Sequence, residues 1–494
     1  MADILTFGLV IGAVCAVLLL AVVSNRVGDR FGVPAPALFL VGAAVASDLA
    51  PSLAPQHIET VQRVVTVALI AILFNGGLEL GWPSFRANAS AIVWLGVVGT
   101  FATAGALALA GHLLFGFDWK LALLIGTALA PTDPAVVFSV LGRREVSGRS
   151  GTILEGESGA NDPVGIALMV ALLTATSAGS SGPEVAWTVV EQFALQMAVG
   201  AAIGLFGGRV MVWALRRPLP SEGLYVIRSI AFVGLIYGAA VLARGSGFLA
   251  VFLAGMVVAD ARAPYKRDIE RFHAATASLG EIVAFTVLGL TIHLGVLVTS
   301  NAWTVGLALA PLLAFVVRPV VVGLVLWPVR LTREERLFVL WAGLKGAVPI
   351  LLGTYILTSG QPDPERAYDI IFVVVLFSVV VQGGLVPVVA RRLRLPVRIV
   401  EQEPWALGMR FRDEPRGLHR YTIVAGAPAD GSRMEELTLG EDVWISLVGR
   451  EGSLVQARGE TTLLAGDEVL VLADPAEADS VARLFTQPTS DGAP

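Results

Sequence analysis

Gly156-Glu157-Ser158-Gly159-Ala160-Asn161-Asp162-Pro163-Val164-Gly165 lies inside an apolar segment that runs from Leu154 to roughly Thr176. The segment reads as a membrane-spanning helix, yet it carries two carboxylates where a bilayer normally excludes them. A charge at the membrane centre costs several kcal/mol, which makes an intramembrane acid a functional candidate by default. Glu157 and Asn161 are four apart, as are Ser158 and Asp162, so the four side chains project from adjacent faces of one helix. A competing reading sets these residues near a helix end, close to water. Their clustering over successive turns argues against it.

The composition around this stretch agrees. Of 494 residues, 55% are hydrophobic and only 15% charged, and the mean hydropathy is +0.74. A soluble domain carries about 25% charged residues, so the chain is an integral membrane protein. A net charge of −5 over this length argues for no nucleic-acid partner. Cys15 is the single cysteine and sits in an apolar run, which excludes an intramolecular disulfide and a zinc site built on paired cysteines. No basic region precedes the first hydrophobic run, so Ile4–Val23 reads as a first helix and not as a removed signal peptide. No cofactor is implied.

A ruler of about 20 apolar residues per crossing gives about 13 spans. They centre on Ile4–Asn25, Pro34–Ala50, Val64–Gly81, Ala91–Phe115, Leu121–Leu141, Ile153–Thr176 and Val185–Leu215. The later set is Leu224–Ala243, Gly247–Asp260, Leu279–Thr299, Ala302–Trp327, Leu337–Leu357 and Ile370–Val389. With the N-terminus outside, the inner loops hold Arg26 and Arg30, Arg86, Arg143, Arg144 and Arg149, then Arg216 and Arg217. Further inner clusters are Arg262, Lys266, Arg267 and Arg271, then Arg330, Arg333 and Arg336, then Arg391, Arg392, Arg394 and Arg398. Outer loops hold scattered cases such as Lys120, Arg244 and Arg366. The bias follows the positive-inside rule and predicts a cytoplasmic C-terminus.

After Arg398 charged residues rise and apolar runs shorten. Tyr421–Ala425, Val443–Val448, Ser453–Arg458 and Glu468–Ala473 read as strands, and Pro475–Phe485 as a closing helix. The expected organisation is a membrane domain over 1–398, a small cytoplasmic α+β domain over 399–486 and a disordered tail over 487–494. No Gly-rich dinucleotide fingerprint follows a strand, so no Rossmann unit is expected.

Two further polar patches lie in the spans. In Ala130-Pro131-Thr132-Asp133-Pro134, prolines flank Thr132-Asp133 and predict a broken helix with free carbonyls at mid-membrane. Such backbone is tolerated there only where it lines a cavity or is buried in protein. In Gly343-Leu344-Lys345-Gly346-Ala347-Val348-Pro349, glycines and a proline predict a second break around a cation. An odd number of spans separates the two, so they run in opposite directions. Interrupted helices at corresponding places in inverted halves point to a secondary transporter's binding site. Lys345 is expected to pair with Glu157, neutralising both charges; the plainer readings are a proline kink and a snorkelling lysine.

On Thr132-Asp133-Pro134, Gly156-Glu157-Ser158-x-x-Asn161-Asp162 and Gly343-Leu344-Lys345-Gly346, the chain resembles the monovalent cation/proton antiporters of the NhaP and sodium/proton-exchanger type, over about residues 1–398. The resemblance implies a polytopic α-helical membrane protein with inverted repeats and two crossing broken helices. It implies that Asp162 holds either a cation or a proton, with Asp133, Thr132, Ser158 and Asn161 completing or supporting the cation shell. Glu157 and Lys345 would form a structural ion pair, and a homodimer is implied. Electroneutral exchange is typical of Asn-Asp members. Lys345 stands where the family usually has Arg, and Asn75 where close bacterial relatives often carry an acid; no transport role is assigned to Asn75.

The segment Val400–Thr486 is similar to the TrkA-C domain of potassium-conductance regulators, on Leu437–Leu439, Gly449-Arg450 and Thr462-Leu463-Leu464-x-x-Gly466-Asp467-Glu468-Val469-Leu470-Val471. That implies the potassium/proton branch, a bacterial inner-membrane location, and a nucleotide or cyclic dinucleotide as the ligand of this domain. Hard alkali ions want oxygen ligands, and a carboxylate removed from water holds its proton to higher pH, so K⁺ or Na⁺ can compete with H⁺ for one group. Na⁺/H⁺ antiport remains open beside K⁺/H⁺ antiport. A gated cation channel and a membrane-embedded hydrolase are the alternatives from other classes. His112, His273 and His293 show no metal-ligand spacing, and no Gly-x-Ser-x-Gly motif with a partnered His is identifiable.

Overall fold

The computed structural model describes residues 34–55, 57–141, 144–146, 149–177, 183–329, 331–361, 363–394, 397–399, 418–437, 443–450, 453–473 and 478–487, with positions 12, 19 and 439 besides. Apart from positions 12, 19 and 487, the expected first span, Ile4–Asn25, and the expected disordered tail lie outside the described residues. The chain divides into two compact units, Met1–Ala406 and Leu407–Pro494.

The first unit is helical. Its helices are α1 (Ala35–Leu49), α2 (Ile58–Leu80), α3 (Trp82–Phe115), α4 (Trp119–Ala128), α5 (Ala135–Leu141), α6 (Arg149–Ser177), α7 (Pro183–Leu215) and α8 (Glu222–Leu242). They continue with α9 (Gly247–Ala259), α10 (Lys266–Gly289), α11 (Leu294–Thr299), α12 (Ala302–Val325), α13 (Arg333–Trp341), α14 (Ala347–Leu357), α15 (Pro364–Gly383) and α16 (Val386–Arg392). Among the described residues, 8 helices are long and apolar enough to cross a membrane, and shorter apolar helices accompany them. Two short strands, β1 (Arg144–Val146) and β2 (Val397–Ile399), pair antiparallel.

The hydropathy ruler misplaces one element most. The expected span Leu279–Thr299 is cut at Leu290–His293, and its helix begins instead at Lys266. The first turns of α10 carry Lys266, Arg267, Asp268, Glu270 and Arg271, which a hydropathy window rejects although helical geometry accepts them. Three helices contain π turns: Trp94–Gly99 in α3, Leu313–Val317 in α12 and Ser378–Gly383 in α15. Single π turns inside α-helices frequently mark functional places. The last two adjoin the residues described below.

The second unit is a four-stranded antiparallel sheet with a closing helix. Its strands are β3 (Leu418–Thr422), β4 (Trp444–Arg450), β5 (Ser453–Val455) and β6 (Glu468–Leu472), ordered β3-β6-β4-β5. Helix α17 (Ala478–Thr486) packs with the sheet through Val481 and Phe485, over Ile423, Val448, Val469 and Val471. Alternation along β6 buries Val469 and Val471 and turns Leu470 and Leu472 outward.

Candidate functional site

The site is assembled at two helix breaks. The chain is non-helical from Leu129 to Pro134, between α4 and α5, and from Ala342 to Gly346, between α13 and α14. The two links are joined directly, since the Asp133 N–H donates to the Leu344 carbonyl at 2.8 Å. Each break creates helix ends whose backbone groups have no partner within the helix, and inside a membrane each must be satisfied by protein.

At the C-terminal end of α13 that accounting closes. The Phe338 carbonyl accepts from the Ala342 N–H at 2.7 Å. Arg318 donates through its guanidinium to the carbonyls of Val339 and Leu340, both at 3.0 Å. Gln382 donates to the Trp341 carbonyl at 2.7 Å. Arg318 also grips the Glu157 carboxylate with two bonds, at 3.0 and 3.3 Å. A planar guanidinium suits this double task, because its donors form a fixed fork. Gly343 makes the room: a Cβ there would lie 1.8 Å from the Arg318 Cζ.

Lys345 does the corresponding work for the other break. Its ammonium donates to the carbonyls of Ala130 and Pro131, each at 3.0 Å, and its own N–H donates to the Ser378 hydroxyl. Ser378 in turn donates to Gln382. The expected ion pair between Glu157 and Lys345 is therefore corrected: Glu157 pairs with Arg318, and Lys345 holds the carbonyls that follow α4. The physical reason is that negative dipole ends of two half-helices attract a cation each, and Arg318 reaches Glu157 while serving its own end.

The helix N-termini meet an acid. The Asp133 carboxylate accepts from the Ala135 N–H at 2.9 Å, capping α5. It also lies against Gly346, the residue before α14, where an added Cβ would come 1.9 Å from Asp133 Oδ2. Thus Asp133 and Lys345 stand at opposite poles of the broken pair.

Helix α6 passes this assembly unbroken despite Pro163 in its interior. Thr132 accepts from the Asn161 amide at 2.7 Å and donates to Glu157 at 3.3 Å, which ties the first link to α6. Ser158 hydrogen-bonds the Asp162 carboxylate, and the charges of Asp133 and Lys345 both act on Asp162. Thr132, Glu157, Ser158, Asn161, Asp162, Arg318 and Lys345 are all buried. Two buried oxygens among them have no hydrogen-bond partner: Asn161 Oδ1 and Asp162 Oδ1. Orphaned buried acceptors are rare and ask for an explanation such as an ion or a proton. Both unpartnered atoms are oxygens, which suits a hard alkali cation as substrate.

Sequence reasoning missed Arg318, Ser378 and Gln382. Arg318 was detectable, as a lone cation inside the 24-residue apolar helix Ala302–Val325. Ser378 and Gln382 carry no charge and gave no comparable signal. Glu281, also missed, is another intramembrane acid.

A carboxylate site built where two helices break is the architecture of a secondary transporter. Residues 9–392 match the profile of the sodium/hydrogen exchanger transmembrane family, and residues 418–486 match the TrkA-C domain. The chain belongs to the sodium/hydrogen exchanger family and is a cation/proton antiporter. It is 30% identical over 479 residues to the K(+)/H(+) antiporter NhaP of Alkalimonas amylolytica, covering 96% of this chain and 82% of that one. It is 29% identical over 500 residues to the K(+)/H(+) antiporter NhaP2 of Shewanella sp. (strain ANA-3), covering 98% and 84%. Among solved structures, the fold is similar to the sodium proton antiporter MjNhaP1 from Methanocaldococcus jannaschii at pH 8. The TM-score is 0.67 at 21% identity, covering 78% of this chain and 98% of that one.

Proposed function

We propose that the protein exports K⁺ in exchange for H⁺ by alternating access, with cation and proton competing for Asp162. The observation that carries this is the unpartnered Oδ1 of Asp162, buried beside an equally unpartnered Oδ1 of Asn161. A buried carboxylate oxygen without a donor needs a positive charge, and a proton or an alkali ion answers that need equally well. If Asp162 crosses only when carrying one of the two, the fluxes are coupled. Asp133, Ser158 and Thr132 supply further oxygen, although Asp133 and Thr132 are also engaged with the backbone and with α6.

Glu157 belongs to the architecture in this reading, its charge spent on Arg318. Potassium is favoured by the names of the relatives at 30% and 29% identity and by the TrkA-C match. The proposed setting is the bacterial inner membrane, with the N-terminus outside and a membrane domain over residues 1–398. The domain over 399–486 lies in the cytoplasm, where a nucleotide or cyclic dinucleotide regulates it, and the protein works as a homodimer. Proton flux in everted vesicles, with K⁺, Na⁺ or Li⁺ added separately, tests the assignment. K⁺ is expected to dissipate the proton gradient at the lowest concentration. A response to Na⁺ alone would replace K⁺ by Na⁺ in the same mechanism, and cation current without proton movement would overturn antiport.

A further inference from the structure

Glu281 lies in the second half of α10, a helix long and apolar enough to span the membrane, and no step above uses it. Its Oε1 is buried with no hydrogen-bond partner. Among the described residues no Lys, Arg or His forms an ion pair with it. A lone acid inside a span is costly and therefore functional by default. Among the described residues, no salt bridge accounts for it as Arg318 accounts for Glu157.

Its position points to the same chemistry. Asp133 is the charged group that bears on Glu281. The backbone agrees, since α10 packs against α14 and α14 begins at Gly346, where the Asp133 carboxylate lies. The helix is also held rigidly at this level. Gly280 approaches α2 so closely that a Cβ would sit 3.0 Å from the Ala68 carbonyl oxygen. A carboxylate on a closely packed helix thus lies within electrostatic reach of Asp133 with an oxygen to spare.

We propose that Glu281 is a second cation-holding carboxylate of the transport path, which gathers a monovalent cation beside Asp133 before it reaches Asp162. This rests on the antiport reading above. Two like charges near each other repel, and a shared cation between them relieves that repulsion.

The test is exchange by the full-length protein in everted vesicles, with K⁺ as the probe. Wild-type exchange is measured first, so that failure of antiport itself is seen separately. Glu281→Gln keeps the shape and removes the charge. The concentration of K⁺ giving half-maximal exchange is expected to rise about ten-fold, with the maximal rate kept within about two-fold. Glu281→Asp is expected to restore half-saturation to within about three-fold of wild type. Unchanged half-saturation in Glu281→Gln would mean that a neutral group serves as well, and would overturn the proposal. So would a fall in maximal rate alone in both variants, which marks a packing role. If Glu281→Gln does not fold, Glu281→Asp decides: retained exchange at slightly raised half-saturation supports the proposal, and unfolding of this variant too overturns it.

Discussion

Arg318 holds Glu157 with two hydrogen bonds, at 3.0 and 3.3 Å, where both side chains are 4% exposed. Removing one partner of such a pair leaves the other charge buried and alone, at a cost of about 3–5 kcal/mol. Arg318→Met should therefore lower the melting temperature in detergent sharply and abolish exchange. Joining it with Glu157→Gln should recover much of that stability, because neither charge is then orphaned. Recovery will be partial, since the Val339 and Leu340 carbonyls still lose their donor. Equal stability of the single and double variants would refute the pairing as the stabilising element.

Asp162→Asn should leave the unfolding free energy within about 1 kcal/mol of wild type, or raise it, since a buried charge with an unpartnered oxygen is being removed. Cation-dependent proton flux should vanish in the same preparation. Robust cation-dependent flux in this variant would remove Asp162 from the carrier role.

Gly343 and Gly346 are required by close approach. A methyl group at Gly343 would collide with the Arg318 guanidinium, and one at Gly346 with the Asp133 carboxylate. Either alanine variant should cost about 1–3 kcal/mol in overpacking and displace the group it strikes. Gly76→Ala, where nothing lies within 4 Å of the added atom, is the control. Both substitutions should depress exchange, and Gly76→Ala should not.

Much of this arrangement is legible in the sequence. Pro131, Pro134, Gly343 and Gly346 act on the backbone they belong to, so the breaks are local facts. The acids on α6 are legible because their spacing and their cost in a membrane are local too. The partner of Glu157 is different: 161 residues separate it from Arg318, and only the packing of α13 against both α12 and α6 brings them together. The motif favours Lys345, but carbonyl ends need donors as urgently as a carboxylate does. Arg318, a charge inside an apolar span like Asp162, offers Glu157 a second cationic partner in the sequence itself. The start of α10 escaped because charge at a helix N-terminus defeats a hydropathy window.

In the C-terminal unit, burial alone would raise the Asp467 carboxyl, but hydrogen bonds from Arg450 and the Leu464 N–H, with the Arg450 charge, hold it below its ordinary value. A depressed carboxylate contributes stability that is present above its unfolded value, about 3.9, and is lost as pH falls through the folded value. Protease sensitivity of this unit in the full-length protein should therefore stay flat from neutral pH down to about 4 and then rise. Asp467→Asn should be more sensitive already at neutral pH, and its sensitivity should change less on acidification.

Lys345 provides the sharpest separation between an ion-pair role and a capping role. Were Glu157 its partner, neutralising both in Lys345→Met/Glu157→Gln would restore what Lys345→Met loses. The geometry predicts otherwise, because Lys345 serves the carbonyls of Ala130 and Pro131, and each orphaned acceptor costs about 1–3 kcal/mol whatever stands at Glu157. The double variant should be no more active than Lys345→Met, and less stable than it, because it leaves Arg318 buried without its acid. Lys345→Arg keeps a cationic donor and should retain the larger part of the exchange rate. Rescue by the double variant, measured as proton flux at saturating K⁺, would reinstate the lysine as the partner of Glu157.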